Sequence, residues 1–221
     1  MSLPVLTVAP ELQGRVRLGL LALEGLTVRE RADALAAEIE ALCLALRTRH
    51  AGAPSGQVPG VEEARALYKG LGLDPTKARP SNEALLRRVL KGEPLYRVNT
   101  LVDALNLCSL RAQLPFGLYD RGRLEPPLTL RRGREGEAYE GIRKGQVGVA
   151  GRPVLVDAQG PFGNPSSDSA RSSISLATTR ALVVVYAPPA LAAARLAAVL
   201  DDLQATLTRH CGGAAAGREP A

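Results

Sequence analysis

Aromatic residues are scarce in this sequence, at 3%, with five Tyr, two Phe and no Trp. Open single-strand nucleic-acid binders stack bases on aromatic rings. The composition therefore argues against such a platform and leaves the core to Leu, Val and Ala. Histidine is scarcer still: His50 and His210 fall in or beside predicted helix ends, away from the polar segments described below, which speaks against a Ser/His/Asp triad or a histidine metal site. Cys43, Cys108 and Cys211 are odd in number and widely spaced, forming neither a disulfide framework nor a metal knuckle, and a reducing cytoplasm fits them best. A Walker loop, a GxGxxG turn and an HExxH helix are all missing, so no cofactor and no metal are expected. The apolar run from Leu182 to Leu200 is broken by Pro188, Pro189 and Arg195, and no membrane span is expected. Nor does Met1-Ser2-Leu3-Pro4 open a signal peptide.

With 221 residues, 46% of them hydrophobic, the chain can bury a real core. One domain over residues 1–211 is expected, with 212–221 as a small, polar, frayed and flexible tail. Lys plus Arg exceed Asp plus Glu by 28 − 22 = +6, and the sequence pI is about 9.6. That balance suits an anionic partner such as RNA, although an Arg-rich chain also reflects a GC-rich genome.

Short apolar runs at Val5–Val8 and Val16–Leu23 predict two opening strands, joined through Glu11 to Gly14. Apolar positions three and four apart then predict a long helix over Val28–Arg49. Further helices are expected over Val61–Leu71, from Ser81 (as N-cap) to Gly92, over Asn99–Leu110 and over Pro188–Thr208. Beyond Pro115 the pattern changes to strands at Leu128–Arg131, Val147–Val149, Val154–Val156 and Leu182–Tyr186. This distribution predicts an α+β fold without regular βαβ alternation.

Three polar segments are candidate sites. Asn99, Asp103 and Asn106 share one face of a helix, which is either a functional stripe or an N-cap with a solvated face. Arg131, Arg132 and Arg134 form a basic run that can contact phosphates or simply guard an exposed hairpin edge. The hydroxyl-rich stretch from Gly160 to Thr179, with Arg171 in it, can cradle a carboxylate, a phosphate or an aminoacyl ester, or be a flexible loop.

In order along the chain, Asp74–Leu85, Val98–Asn106, Leu114–Asp120, Arg132–Glu137 and Ile174–Thr178 resemble the editing (B3/B4) domain of the bacterial phenylalanyl-tRNA synthetase β subunit, and still more its stand-alone relatives, over residues 68–186. The resemblance implies a layered β/β/α domain with a mixed sheet that hydrolyses the ester between a wrong amino acid, tyrosine in the synthetase, and the tRNA end. It implies site roles for Asn106 and Thr178, and these two together with Arg171, read as the group that binds a backbone phosphate or the ester oxygen, are the expected catalytic residues. Asn99, Gly117, Glu137, Gln146, Gly160, Gly163, Asn164, Asp168 and Ser169 would bind substrate, and Arg131, Arg132 and Arg134 the RNA. Gly117 stands where the family usually has a histidine, and Gln146 near the place of the glutamate that reads the tyrosine hydroxyl, so tyrosine is disfavoured as the amino acid.

The expected protein is thus a cytoplasmic monomer or weak homo-oligomer acting as a trans-editing hydrolase on mischarged aminoacyl-tRNA. Its rivals are a noncatalytic tRNA- or RNA-binding module and a pocket protein for a free amino acid.

Overall fold

The computed structural model describes residues 3–143 and 145–220, with the side chain of the last excepted. Three layers stack in the order helices, sheet, sheet. The middle layer is antiparallel and runs β11 (Ala214–Pro220), β2 (Arg17–Glu24), β10 (Arg180–Ala187), β3 (Phe116–Asp120). The outer sheet is mixed: β1 (Leu6–Val8) lies parallel to β4 (Leu128–Arg132), followed antiparallel by β7 (Pro153–Asp157), β8 (Gly160–Asn164) and β9 (Ser167–Asp168). A ribbon of β5 (Ala138–Gly141) and β6 (Gly145–Gly148) stands apart. The two opening strands therefore belong to different sheets.

Strand alternation produces the layering, because successive side chains point to opposite faces. On β10, Val183 and Val185 join Leu21 and Leu23 of β2 and Phe116 and Leu118 of β3 beneath the helices. The intervening residues Leu182, Val184 and Tyr186 face the outer sheet, meeting Leu130, Leu155 and Phe162. Central strands buried on both faces read as unbroken apolar runs, and β10 is buried from Ala181 to Ala187.

The helical layer comprises α1 (Asp33–Arg49), α2 (Val61–Gly70), α3 (Ser81–Leu90), α4 (Thr100–Ala112) and α5 (Ala193–Cys211). Each buries the stripe its spacing predicts: Leu35, Ile39 and Cys43 on α1, and Leu196, Leu200, Leu203 and Leu207 on α5. Close approach of α5 to the sheet depends on Gly19, where a Cβ would lie 3.0 Å from Leu196 Cδ1.

Three expectations are corrected. Ala214–Pro220 is not a frayed tail but pairs antiparallel with β2, satisfying backbone groups that would otherwise form an open edge; Ala221 lies outside the described residues. The segment 160–179 is not a flexible loop: its first half is β8 and β9, with Phe162 and Ser172 fully buried. Finally, Pro80 is the N-cap residue of α3, and Ser81 makes no capping hydrogen bond.

Tyr119 lies between two glycines of facing sheets. A Cβ on Gly117 would sit 2.3 Å from its hydroxyl oxygen, and one on Gly163 at 2.5 Å. Gly163→Ala is expected to destabilise the fold by about 1–3 kcal/mol through overpacking. Gly148→Ala, which meets nothing within 4 Å, should stay within about 0.5 kcal/mol of the parent. Urea unfolding of the two variants checks both values.

Candidate functional site

A cavity of about 400 Å³ opens where α4, β3 and the β8–β9 turn meet. Val102, Leu105, Phe116, Leu118 and Ile174 give it an apolar wall, with Val98 and Ile142 exposed at its rim. Its polar lining comes from Asn106 on α4, Ser81 at the start of α3, Asn164 to Asp168 of the turn, Ser173, and Arg143 between β5 and β6. The Ser81 Oγ is buried without a hydrogen-bond partner. An apolar pocket with a few convergent polar groups is the usual form of a small-ligand site.

Tyrosine hydroxyls hold the turn in place. Tyr68 donates to Pro165 O or Ser166 Oγ, at 2.8 and 2.9 Å, and the Ser81 amide is a further partner. Tyr139 donates to Ser167 O at 2.7 Å and accepts from Asn164 Nδ2 at 2.9 Å. The Tyr119 hydroxyl bonds with Asp168 and lies 3.4 Å from that of Tyr186. Burial pushes Tyr139 up to about 12 and Tyr68, Tyr119 and Tyr186 well above the ordinary range, so all four remain protonated. Asn164 Oδ1 closes the turn by accepting from the Ser166 and Ser167 amides at 2.8 and 3.0 Å, an Asx-type arrangement.

Of the residues singled out in the sequence, Asn106, Asn164 and Asp168 reach this cavity. Asn99 instead caps α4, its side chain accepting from Val102 N at 3.0 Å, while Asp103 accepts from Val98 N at 2.9 Å. The polar stripe is thus divided between a helix cap and a pocket wall. Thr178 is buried with its hydroxyl donating to Asp120 Oδ2 at 2.7 Å and accepting from Ser175 N at 3.0 Å. Arg171 is bidentate to Asp157, at 2.9 and 3.0 Å, and lies over the Phe162 ring at 6.0 Å. Neither is placed to touch a ligand in the cavity.

The remaining candidates lie elsewhere. Ser169 bonds to Ser172 at 2.8 Å in the interior. Gly160 (φ 113°) forms the opposite end of β8, and Gly117 and Gly163 make room for Tyr119. Gln146 is exposed on the β5–β6 ribbon, opposite Glu140. Glu137 takes two bonds from Arg131, at 2.6 and 2.7 Å, and one from the Arg134 amide. The Arg132 guanidinium donates to Leu71 O and Gly151 O, and the Arg134 side chain is exposed. Only the last of the three arginines is left to solvent, since a hairpin folds the first back onto its own carboxylate.

The chain matches the B3/4 domain family over residues 63–211. It belongs to that family. Its fold is similar to that of an N-terminal fragment of the phenylalanyl-tRNA synthetase β subunit from Pyrococcus horikoshii, with a TM-score of 0.51 and 12% identity over 97% of this chain and 52% of that one. The chain therefore spans about half the length of that fragment. No curated protein matches its sequence. The layered β/β/α architecture with a mixed sheet is thus established by both comparisons and by the strand order.

Sequence reasoning passed over Ser81, Ser166 and Ser167 as site residues, and the apolar wall entirely. Ser81 read as a helix cap, and its clue, a serine directly after a proline that already starts the helix, was available. Among the described residues no cluster of three or more His, Cys, Asp or Glu side chains could hold a metal ion, and no helix is long and apolar enough to cross a membrane. His210 pairs with Glu38 at 2.7 Å on α5, away from the cavity.

The Arg131 hydrogen bonds, with a smaller contribution from the Arg134 amide, hold the Glu137 carboxyl down to about 2. A carboxylate depressed in the folded state contributes stability above its unfolded pKa of about 4.3, and the contribution is lost as pH falls toward the folded value. Melting temperature should therefore drop between about pH 4.5 and 2 partly through this pair. Glu137→Gln is expected to lower the melting temperature at pH 7 and to shrink the difference from the parent as pH approaches 2.

Proposed function

We propose that this B3/4 domain binds the aminoacylated 3′ end of tRNA and hydrolyses the ester of a mischarged amino acid in the cavity beside Asn106. The observation that carries the reading is the meeting of the Asn106 amide and the Asp168 carboxylate in one pocket with an apolar wall. Its volume of about 400 Å³ lies in the range of about 300–1,000 Å³ typical of ligand pockets. Family membership and the likeness to a synthetase β-subunit fragment supply the link to tRNA.

The chemical demand is small, because an aminoacyl ester is already activated. Water adds to the ester carbonyl, the bond to the ribose oxygen breaks, and the water proton ends on that oxygen, releasing a free amino acid and an intact tRNA end. The cavity lining contains neither His nor Cys, so acceleration rests on holding ester and water together and on hydrogen bonds to the developing oxyanion. Asn106 can donate through its amide, and Ser81, whose hydroxyl is buried without a hydrogen-bond partner, adjoins the same pocket. Asp168 suits the α-ammonium group of the amino acid, and the Phe116, Leu118 and Ile174 wall suits an apolar side chain. This reading removes Thr178 and Arg171 from catalysis.

A pocket for a free amino acid is the second reading, favoured by the internal pairing of Arg131 with Glu137, which takes that charge away from an RNA surface. A panel of cognate and mischarged aminoacyl-tRNAs, followed for amino-acid release against a no-protein control, separates the two. Deacylation is expected for esters of apolar amino acids, and Asn106→Ala should lower kcat about 100-fold or more. Release from no member of the panel, together with thermal stabilisation by a free amino acid, would decide for the second reading.

A further inference from the structure

Ser166 and Ser167 also line a second, larger concavity of about 660 Å³, whose rim is formed by residues 72–79 before α3 and by the turn at Ala150–Arg152. A small space of about 40 Å³ among Ala78, Val147 and Asn164 to Ser167 shares lining residues with both it and the Asn106 pocket. Arg79 lines the cleft and Ser81, two residues on, lines the pocket.

Three cations face this cleft: Lys77, Arg79 and Arg152. Most other arginines of the interior and its margins are spent on carboxylates, as Arg65 on Glu83, Arg131 on Glu137 and Arg171 on Asp157. Among the described residues, no ion pair or side-chain hydrogen bond holds Lys77 or Arg152, both of which are exposed. Arg79 Nε lies 3.9 Å from Glu83 without a hydrogen bond, and that carboxylate already takes two bonds from Arg65 at 2.7 and 2.8 Å. The one acid in the lining, Asp74, accepts from the Thr76 amide and hydroxyl at 2.9 and 2.7 Å and also feels the charge of Lys77, so the lining sets three cations against one carboxylate. Positive charge in a concave site is therefore in excess, which raises the local potential for anions.

The cleft is also held at a fixed width. Arg132 Nη1 donates to Leu71 O at 3.3 Å and to Gly151 O at 2.8 Å, tying one wall to the other. No aromatic side chain lines it, so it offers no surface on which a base could stack. We propose that this cleft holds the phosphodiester backbone of the RNA strand whose aminoacylated end enters the Asn106 pocket, with Lys77, Arg79 and Arg152 contacting phosphates. The inference rests on the reading of the pocket given above and locates the RNA that reading requires. Recognition here is by charge and is independent of base sequence. The basic run at 131–134 then acts on RNA only indirectly, through the clamp that Arg132 makes.

The test compares the full chain with Lys77→Gln/Arg152→Gln, Arg134→Ala and Asn106→Ala, measuring unacylated tRNA binding by fluorescence anisotropy at several salt concentrations. Both exchanged cations are exposed, and matching thermal melts establish that the double variant folds. The double variant should bind tRNA about 10-fold or more weakly, with a log–log salt slope smaller by about two, and should raise KM for aminoacyl-tRNA while leaving kcat unchanged. Arg134→Ala, outside both the cleft and the pocket, should bind as the parent does, and Asn106→Ala, which removes no charge, should keep the parent's salt slope. Equal binding and equal salt slope in parent and double variant would overturn the cleft assignment while leaving the pocket reading intact; parent protein that binds no tRNA overturns both. Stabilisation by inorganic phosphate that the double variant loses, with tRNA binding unchanged, makes the cleft a small-anion site and also overturns the proposal.

Discussion

The polar backbone between Asn164 and Asp168 is enclosed between two cavities, and its carbonyls and amides have to be satisfied inside the protein. An unsatisfied buried polar group costs about 1–3 kcal/mol, and this turn presents several. Tyr68 and Tyr139 reach the carbonyls of Pro165 and Ser167, the Asn164 side chain takes the next two amides, and Tyr119 meets Asp168. Three of the five tyrosines thus converge on the same few residues, and a fourth, Tyr186, lies 3.4 Å from the Tyr119 hydroxyl. A phenol between two sheets needs space, and Gly117 and Gly163 provide it for Tyr119. The scarcity of aromatics is the global impression of a chain that concentrates its few rings where their hydroxyls are needed.

That enclosure also determines what the pocket can offer. Because the turn is held by tyrosines on α2, β3 and β5, Asn164 and Asp168 are presented from a fixed support in the cavity that Asn106 of α4 also lines. Preorganised dipoles of this kind act without reorganising when charge develops near them. In the deacylation proposed for this pocket, the lining without histidine or cysteine leaves the chemical burden to position and hydrogen bonding, which an activated ester tolerates and an amide would not.

The distribution of charge follows a related logic. A sequence count of cations fixes the sign of the net field but says nothing of which cations are neutralised at short range. Arg131 and Arg171 look available in the sequence and are held by Glu137 and Asp157 in the fold. Lys77 and Arg79 on one segment and Arg152 on a distant one come to face one concavity.

The long helices and the buried strand β10 were legible because apolar period and strand alternation are local consequences of backbone geometry. The α+β class and the ordered family segments followed from the chain alone, as did Asn106, Asn164 and Asp168 as candidate site residues. The closing strand β11 was not, since Ala, Gly and Arg carry little strand preference and the segment is ordered by the free edge of β2. The same holds for β8 and β9, whose Gly, Pro, Asn and Ser composition reads as a loop until the tyrosines are in place. Sequence alone thus determined the layers and the chemical vocabulary of the site. Tertiary structure decided which polar groups remain free to meet a ligand, because a partner 58 residues away, as Asp120 is to Thr178, leaves no local trace.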